Sequence, residues 1–211
     1  MKIAIIGYSG AGKSTLARRL GTLYGCEVLH LDRIHFASGW AERTDDEMRE
    51  DVGRFLEKES WVIDGNYSRA FYQRRLEEAD QIVFLNFNRF FCLWRAYRRY
   101  RIYRGKTRPD MADGCAEKFD REFVRWILWG GRSRKARKRY RGILAAYPKK
   151  SVELKNQTQL DRFWEQQNKT VSRAGPGLTE GEVFFDEIRY GSEPRQDAVP
   201  KKTDDAQEAQ K

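Results

Sequence analysis

The sequence is poor in the residues that mark secreted, metal-binding and membrane proteins. Its 211 residues hold three cysteines, Cys26, Cys92 and Cys115, scattered and without paired spacing. An odd, unpaired set reads as reduced thiols rather than a disulfide framework. Two histidines and the lack of any Cys-x-x-Cys leave no zinc site. No apolar run approaches the ~20 residues that cross a bilayer. The richest stretch, Gln81 to Trp94, is interrupted by Asn86, Asn88 and Arg89. The first residues, one lysine and a short apolar run before glycines and a second lysine, do not have the form of a signal peptide. The expected location is therefore cytoplasmic. There is no Asn-Lys-x-Asp motif of the kind that reads guanine, which disfavours a GTPase-like switch. Helix-turn-helix, zinc-finger and RNP signatures are missing too.

What is present in excess is positive charge. The chain carries 41 Lys and Arg against 31 Asp and Glu, a net +10. Between Arg89 and Gly142 the count is 18 basic to 5 acidic residues, so this segment supplies more than the whole excess. Such a patch implies a polyanionic partner, whether nucleotide phosphates, nucleic acid or an acidic membrane surface, or else a solvated helical face. A 40% hydrophobic content and this length suit one domain with a real core.

The hydrophobic pattern alternates strands with helices. Strands are expected at Lys2 to Ile6, Val28 to Leu31, Trp61 to Ile63, Gln81 to Phe87 and Ser151 to Leu154. Helices are expected at Lys13 to Tyr24, from a Thr44/Glu47 capping box to about Glu59, and at Ser68 to Ala79. Further helices are expected from an Asn88 cap towards Arg104, and at Glu117 to Trp129, Lys135 to Tyr147 and Thr158 to Gln167. This order predicts an open, mostly parallel α/β sheet. Past about Lys169 the composition turns polar, and residues 170–211 read as a flexible tail with one apolar patch at Val183-Phe184-Phe185. The organisation expected is a domain over 1–169, with a lid at about 98–140, followed by that tail.

Gly7-Tyr8-Ser9-Gly10-Ala11-Gly12-Lys13-Ser14-Thr15 fits G-x-x-x-x-G-K-[ST], with a strand before it and a helix after. Glycines allow the backbone to turn its N–H groups onto phosphate oxygens, and the helix offers its positive end to the same anion. Lys13 would reach the β- and γ-phosphates and the Ser14 hydroxyl would ligate Mg²⁺, which makes ATP and Mg²⁺ the expected cofactors. Gly7, Ser9, Gly10, Ala11, Gly12, Lys13, Ser14 and Thr15 are the candidate nucleotide contacts.

Ligands of open parallel sheets lie beyond the carboxyl ends of the strands. Asp32 and Asp64 stand at such ends and would face the loop if their strands flank the first. Either could serve Mg²⁺ or take a proton from an acceptor hydroxyl, although turn and cap aspartates are common. Gly65, Asn66 and Tyr67 after Asp64, with Arg69 nearby, are acceptor candidates, or simply a turn before a helix. His35 and Trp40 are candidates for a pocket wall, while His30 reads as a buried structural residue. Phe90, Trp94, Tyr97, Arg101 and Arg104 fall on one helical stripe. The aromatics are expected in the core, with the two arginines aimed at the site. Arg101, Arg104, Arg108 and Arg132 are the expected phosphate clamps, and the loop from Gly105 to Gly114 is expected to close as a lid.

Taken together, the glycine loop, Leu31-Asp32-Arg33-Ile34-His35-Phe36, Trp61 to Tyr67 and the lid with Arg108 to Gly114 resemble the P-loop small-molecule kinases. The nearest branch is the adenylate-kinase-like one often labelled "topology modulation protein". The likeness spans about Met1 to Asn168. It implies a three-layer fold with five parallel strands, a central P-loop strand and a helical lid. It also implies ATP at Gly7 to Thr15, an acceptor or Mg²⁺ at Asp32 and Asp64 to Tyr67, and phosphate clamping by the lid arginines. Asp32 stands nineteen residues after Lys13, similar to the base of shikimate- and gluconate-type kinases. The acceptor-site signatures typical of adenylate kinases are missing. The expectation is an enzyme that phosphorylates a small molecule. The alternative is a nucleic-acid-binding regulator with the P-loop as a nucleotide sensor, for which the basic, aromatic-laced segment would supply phosphate contacts and stacking.

Overall fold

The structure, a computed structural model, describes residues 1–173. The tail is expected from 170, but its first four residues continue the last helix to Arg173; the remainder, with Val183 to Phe185, lies outside the described residues. Five strands, β1 (Lys2–Gly7), β2 (Val28–His30), β3 (Trp61–Asp64), β4 (Gln81–Leu85) and β5 (Ser151–Leu154), form one sheet in the order β2-β3-β1-β4-β5. All four pairings are parallel. The helices are α1 (Lys13–Tyr24), α2 (Leu31–His35), α3 (Asp45–Leu56), α4 (Tyr72–Glu78), α5 (Arg89–Tyr103), α6 (Arg121–Leu128), α7 (Arg134–Ala146) and α8 (Gln157–Arg173).

Because successive strand residues point to opposite faces, β1 feeds two cores. Ile3 and Ile5 pack with Leu16, Ala17 and Leu20 of α1, Cys92 and Ala96 of α5, and Leu160 and Phe163 of α8. Ala4 and Ile6 pack on the other face with Met48, Val52 and Leu56 of α3, Leu76 of α4, and Tyr140 and Ile143 of α7. A near-continuous apolar strand is therefore what three layers require. The expected caps hold: Thr44 and Glu47 form a reciprocal capping box, and Asn88 accepts a hydrogen bond from Phe90 N.

Four expectations need correction. The helix expected from Glu117 starts only at Arg121, with Asp120 as its cap. The sheet order makes β3 the neighbour of β1 and leaves β2 one strand further out, so Asp64 lies beside the glycine loop and Asp32 does not share that position. The helix expected from Ser68 starts at Tyr72, since Phe71 takes a left-handed φ of 47° and the turn before it is held by Arg75. Phe90, Trp94 and Tyr97 are not core: they are 68%, 43% and 43% exposed. The buried side of α5 is Cys92 and Ala96. The 3–4 spacing was correct, but a basic helix carries apolar residues on both faces, and the small residues were the ones able to approach the sheet.

Among the described residues no helix is long and apolar enough to cross a membrane.

Candidate functional site

The glycine loop joins β1 to α1 and ends on Gly12, whose φ of 96° forbids a side chain without strain. No side chain caps α1, and its first turn contains no acidic residue, so its N–H groups and the positive end of its dipole stay available to an anion. Lys13 arches back over the loop, with Nζ donating to the Tyr8 carbonyl at 3.3 Å. Tyr8 roots the loop in the core, edge-on to Phe84 and Tyr140.

Strand register brings Asp64 to the loop. It lies level with Ile5 on one side and His30 on the other. The Ser14 hydroxyl donates to Asp64 Oδ2 at 2.9 Å, and His30 Nδ1 lies 2.6 Å from Asp64 Oδ1. Asp64 is thus held between its neighbours with both oxygens engaged. The reading of His30 as a buried residue stands, and its partner is what the sequence did not show.

The segment after Asp64 is positioned by backbone contacts. Gly7 N donates to Asn66 Oδ1 at 3.1 Å, and Asn66 Nδ2 donates to Gly7 O at 2.6 Å. The Asn66 amide is spent on clamping this turn to the P-loop, so it is not a free substrate contact. Arg75 is 2% exposed and reaches three carbonyls, of Ala70 at 2.9 Å, Tyr67 at 2.6 Å and Gly65 at 3.4 Å. Burial pushes its guanidinium down to about 10, which still leaves it charged at neutral pH. Arg75→Met should destabilise the protein by about 2–4 kcal/mol, because three carbonyls lose a charged donor. A urea midpoint equal to wild type would mean water replaces the guanidinium at no cost.

Asp32 reaches the same region from α2. Tyr67 Oη donates to Asp32 Oδ1 at 2.9 Å. Burial, together with the Asp32 and Asp64 charges, pushes the phenol far above its ordinary range, so it remains a proton donor. His35 leans on Tyr67 with ring centroids 4.5 Å apart. Trp40 is not an open wall. Its indole N–H donates to Ala116 O at 3.1 Å, its ring meets Phe36, and its φ is 70°.

The expected arginine clamps separate into different surroundings. Arg101 and Arg104 lie exposed near the end of α5. Arg108 is buried in ion pairs with Asp110 and Glu117, its charge committed inside the protein. Arg69 is exposed and pairs with Asp45 at 2.9 Å. Arg132 does reach the loop: it stacks 3.8 Å over the Tyr8 ring and donates to Phe87 O at 2.7 Å. Sequence reasoning missed Arg95, which donates to Ala11 O at 3.3 Å, and Trp126 of α6, whose indole donates to Ser9 Oγ at 3.2 Å. Arg95 could have been found as the basic neighbour of Cys92 and Ala96 on the small-residue face of α5. No local signal marked Trp126.

A glycine loop between the central strand and an uncapped helix, with an aspartate from the adjacent parallel strand on its serine, defines a P-loop nucleotide-binding α/β protein. No protein-family model matches the chain. It is 32% identical over 135 residues to a Pyrococcus furiosus protein named "Putative adenylate kinase", a match covering 61% of this chain and 67% of that one. The chain belongs to the adenylate-kinase-like family which that relative represents. Solved structures give weaker likenesses. A gluconokinase from Sinorhizobium meliloti is 17% identical over 82% of this chain and 92% of its own, at TM-score 0.46. A shikimate kinase from Bacteroides thetaiotaomicron is 19% identical over 82% and 98%, also at 0.46. A deoxyadenosine kinase from M. mycoides with bound dATP is 15% identical over 80% and 100%, again at 0.46. The fold assignment rests on the sheet order and the loop themselves.

Proposed function

We propose that the protein is an ATP-dependent phosphotransferase that moves the γ-phosphate to a small-molecule acceptor. The observation that carries this reading is the meeting of Ser14 and Asp64 at 2.9 Å, beside Lys13 and the uncapped start of α1. Gly7 to Thr15 would cradle the triphosphate, with Lys13 on its β- and γ-oxygens. The oxygen donors suit Mg²⁺: Ser14 would ligate it and Asp64 would hold one of its waters. Bound there, Mg²⁺ would neutralise the charge that develops between the β- and γ-phosphates.

The acceptor side favours a hydroxyl. Asp32 is held by a phenol rather than by an arginine, and a phosphate acceptor would meet that carboxylate unfavourably. Asp32 accepts the hydroxyl proton as the acceptor oxygen bonds to the γ-phosphorus and the bond to the ADP leaving oxygen breaks. His35 and Tyr67 border the place where such an acceptor sits. The membership of an adenylate-kinase-like family supports the other acceptor class, a nucleoside monophosphate, which needs no base.

ATP turnover with Mg²⁺ against nucleosides, nucleoside monophosphates and small hydroxylated metabolites tests the function. Strong acceleration of ADP formation by one acceptor is expected. No stimulation by any of them, with ATP bound, counts against transfer. For the hydroxyl class, Asp32→Asn should lower kcat by roughly 10²-fold or more with little change in KM for ATP. A fall of less than about tenfold points to a phosphate acceptor.

A regulator of the "topology modulation" kind keeps one observation in its favour. The outward stripe of α5 exposes Phe90, Trp94 and Tyr97 alongside Arg101 and Arg104. Aromatics among arginines suit single-stranded nucleic acid. DNA affinity that falls steeply with salt would support it, and no binding near physiological salt would remove it.

A further inference from the structure

The loop after α5 is polar in sequence yet deeply buried at alternate points. Arg108, Asp110, Met111, Cys115 and Glu117 are each less than a tenth exposed. Three charges in the interior of a loop are expensive unless they are paired. They are paired in series. Arg99 of α5 meets Glu117 at 2.7 Å, Glu117 meets Arg108, and Arg108 meets Asp110 at 2.8 Å. The chain begins on a helix of the core and ends on a carboxylate.

That carboxylate faces α1. Asp110 Oδ1 lies 3.6 Å from Arg18, one turn beyond Ser14. Its two oxygens face cations, Oδ2 towards Arg108 and Oδ1 towards Arg18. The loop is fixed on its far side as well. Cys115 Sγ donates to Ala37 O at 3.3 Å, Trp40 donates to Ala116 O, and a Cβ on Gly114 would meet Ser38 Oγ at 2.3 Å. Held at both ends, the loop cannot let Asp110 swing freely.

We propose that Asp110 is a positioning residue of the nucleotide site, delivered to α1 by the buried Arg99–Glu117–Arg108 chain to hold the hydration shell of the nucleotide's divalent cation. This rests on the ATP-phosphotransferase reading above. Asp64 approaches α1 from the sheet, at Ser14, and Asp110 from the loop, at Arg18. Two carboxylates beside a triphosphate repel it when no cation is present and favour it once a divalent cation is coordinated. A carboxylate that accepts from metal-bound water positions the cation without replacing its ligands, as suits Mg²⁺, which keeps several waters.

The test is isothermal titration calorimetry of ATP against the full chain, wild type and Asp110→Asn, with saturating Mg²⁺ and separately with EDTA. The asparagine keeps the shape and can still accept from Arg108. We expect a crossover: Mg²⁺-ATP binds about tenfold more weakly and Mg²⁺-free ATP about tenfold more tightly than to wild type. A purely structural role would weaken both together, and that outcome overturns the proposal. If thermal melts show Asp110→Asn to be unfolded, Glu117→Gln replaces it, since that residue touches neither nucleotide nor cation. It should lower the affinity advantage given by Mg²⁺ while leaving Mg²⁺-free binding unchanged or improved. An equal loss under both conditions overturns the proposal again. Wild type that binds no ATP under either condition removes the phosphotransferase reading as well.

Discussion

Lys13→Ala should reduce ATP turnover by roughly 10²–10³-fold while leaving the fold intact. Lys13 is the one cation that the loop carries on its own helix start, and its reach is local: Nζ arches back to the Tyr8 carbonyl at 3.3 Å. In that pose the ammonium covers the cradle where the β- and γ-oxygens would lie. Under the proposed function, charge would build on those oxygens as the γ-phosphoryl group transfers, so its stabilisation there would be larger than in the ground state. The expected signature is a large fall in kcat with a smaller rise in KM for ATP. Because the side chain is half-exposed and its recorded bond is within its own loop, the melting temperature should move by no more than about 2 °C. Steady-state kinetics beside a thermal melt decides the matter. Turnover within about tenfold of wild type would mean that Arg95 or Arg132, both in contact with this loop, supplies the charge instead.

Gly10→Ala should be strongly damaging for a single added methyl group. Gly10 has a φ of 78°, and a Cβ there would lie 2.4 Å from the Cys92 carbonyl oxygen. Two costs combine: about 1–2 kcal/mol for a left-handed alanine and about 1–3 kcal/mol for forcing α5 away from the loop. The first cost is local, but the second displaces the helix that carries Arg95 and begins the Arg99 ion chain. Stability should fall by about 2–5 kcal/mol, and ATP affinity by at least about tenfold even in the fraction that remains folded. Gly142→Ala is the control. It lies inside α7 with open space around a Cβ, and it should be neutral or slightly stabilising. If Gly10→Ala binds ATP like wild type, the close approach of α5 to the loop has no functional weight.

The ion chain and Asp64 together show how a small, basic protein keeps buried acidic groups paired near α1. Asp64 has His30 on one oxygen and Ser14 on the other. Asp110 has Arg108 and Arg18. Several arginines are committed in this way to internal partners. Arg75 serves backbone carbonyls, and Arg99 and Arg108 serve Glu117. The count of basic residues between Arg89 and Gly142 therefore overstated the charge free to meet a phosphate.

What the sequence determined by itself was local. The glycine loop, the strand before it and the helix after it are one continuous segment, so their chemistry is set by neighbours along the chain. The capping box at Thr44 and the Asn88 cap are of the same kind. The alternation of strands and helices likewise led to a parallel sheet, because apolar runs that short must be buried on both faces. Tertiary structure decided which strand lies next to β1, and so gave Asp64 rather than Asp32 the place at Ser14. It turned Phe90, Trp94 and Tyr97 outward and Arg95 inward, since Cys92 and Ala96 alone are small enough to let α5 approach the sheet. It also converted a polar loop into a buried chain of ion pairs. Periodicity reports which residues share a face, but only the packing of distant segments reports which face is covered and which charges find each other.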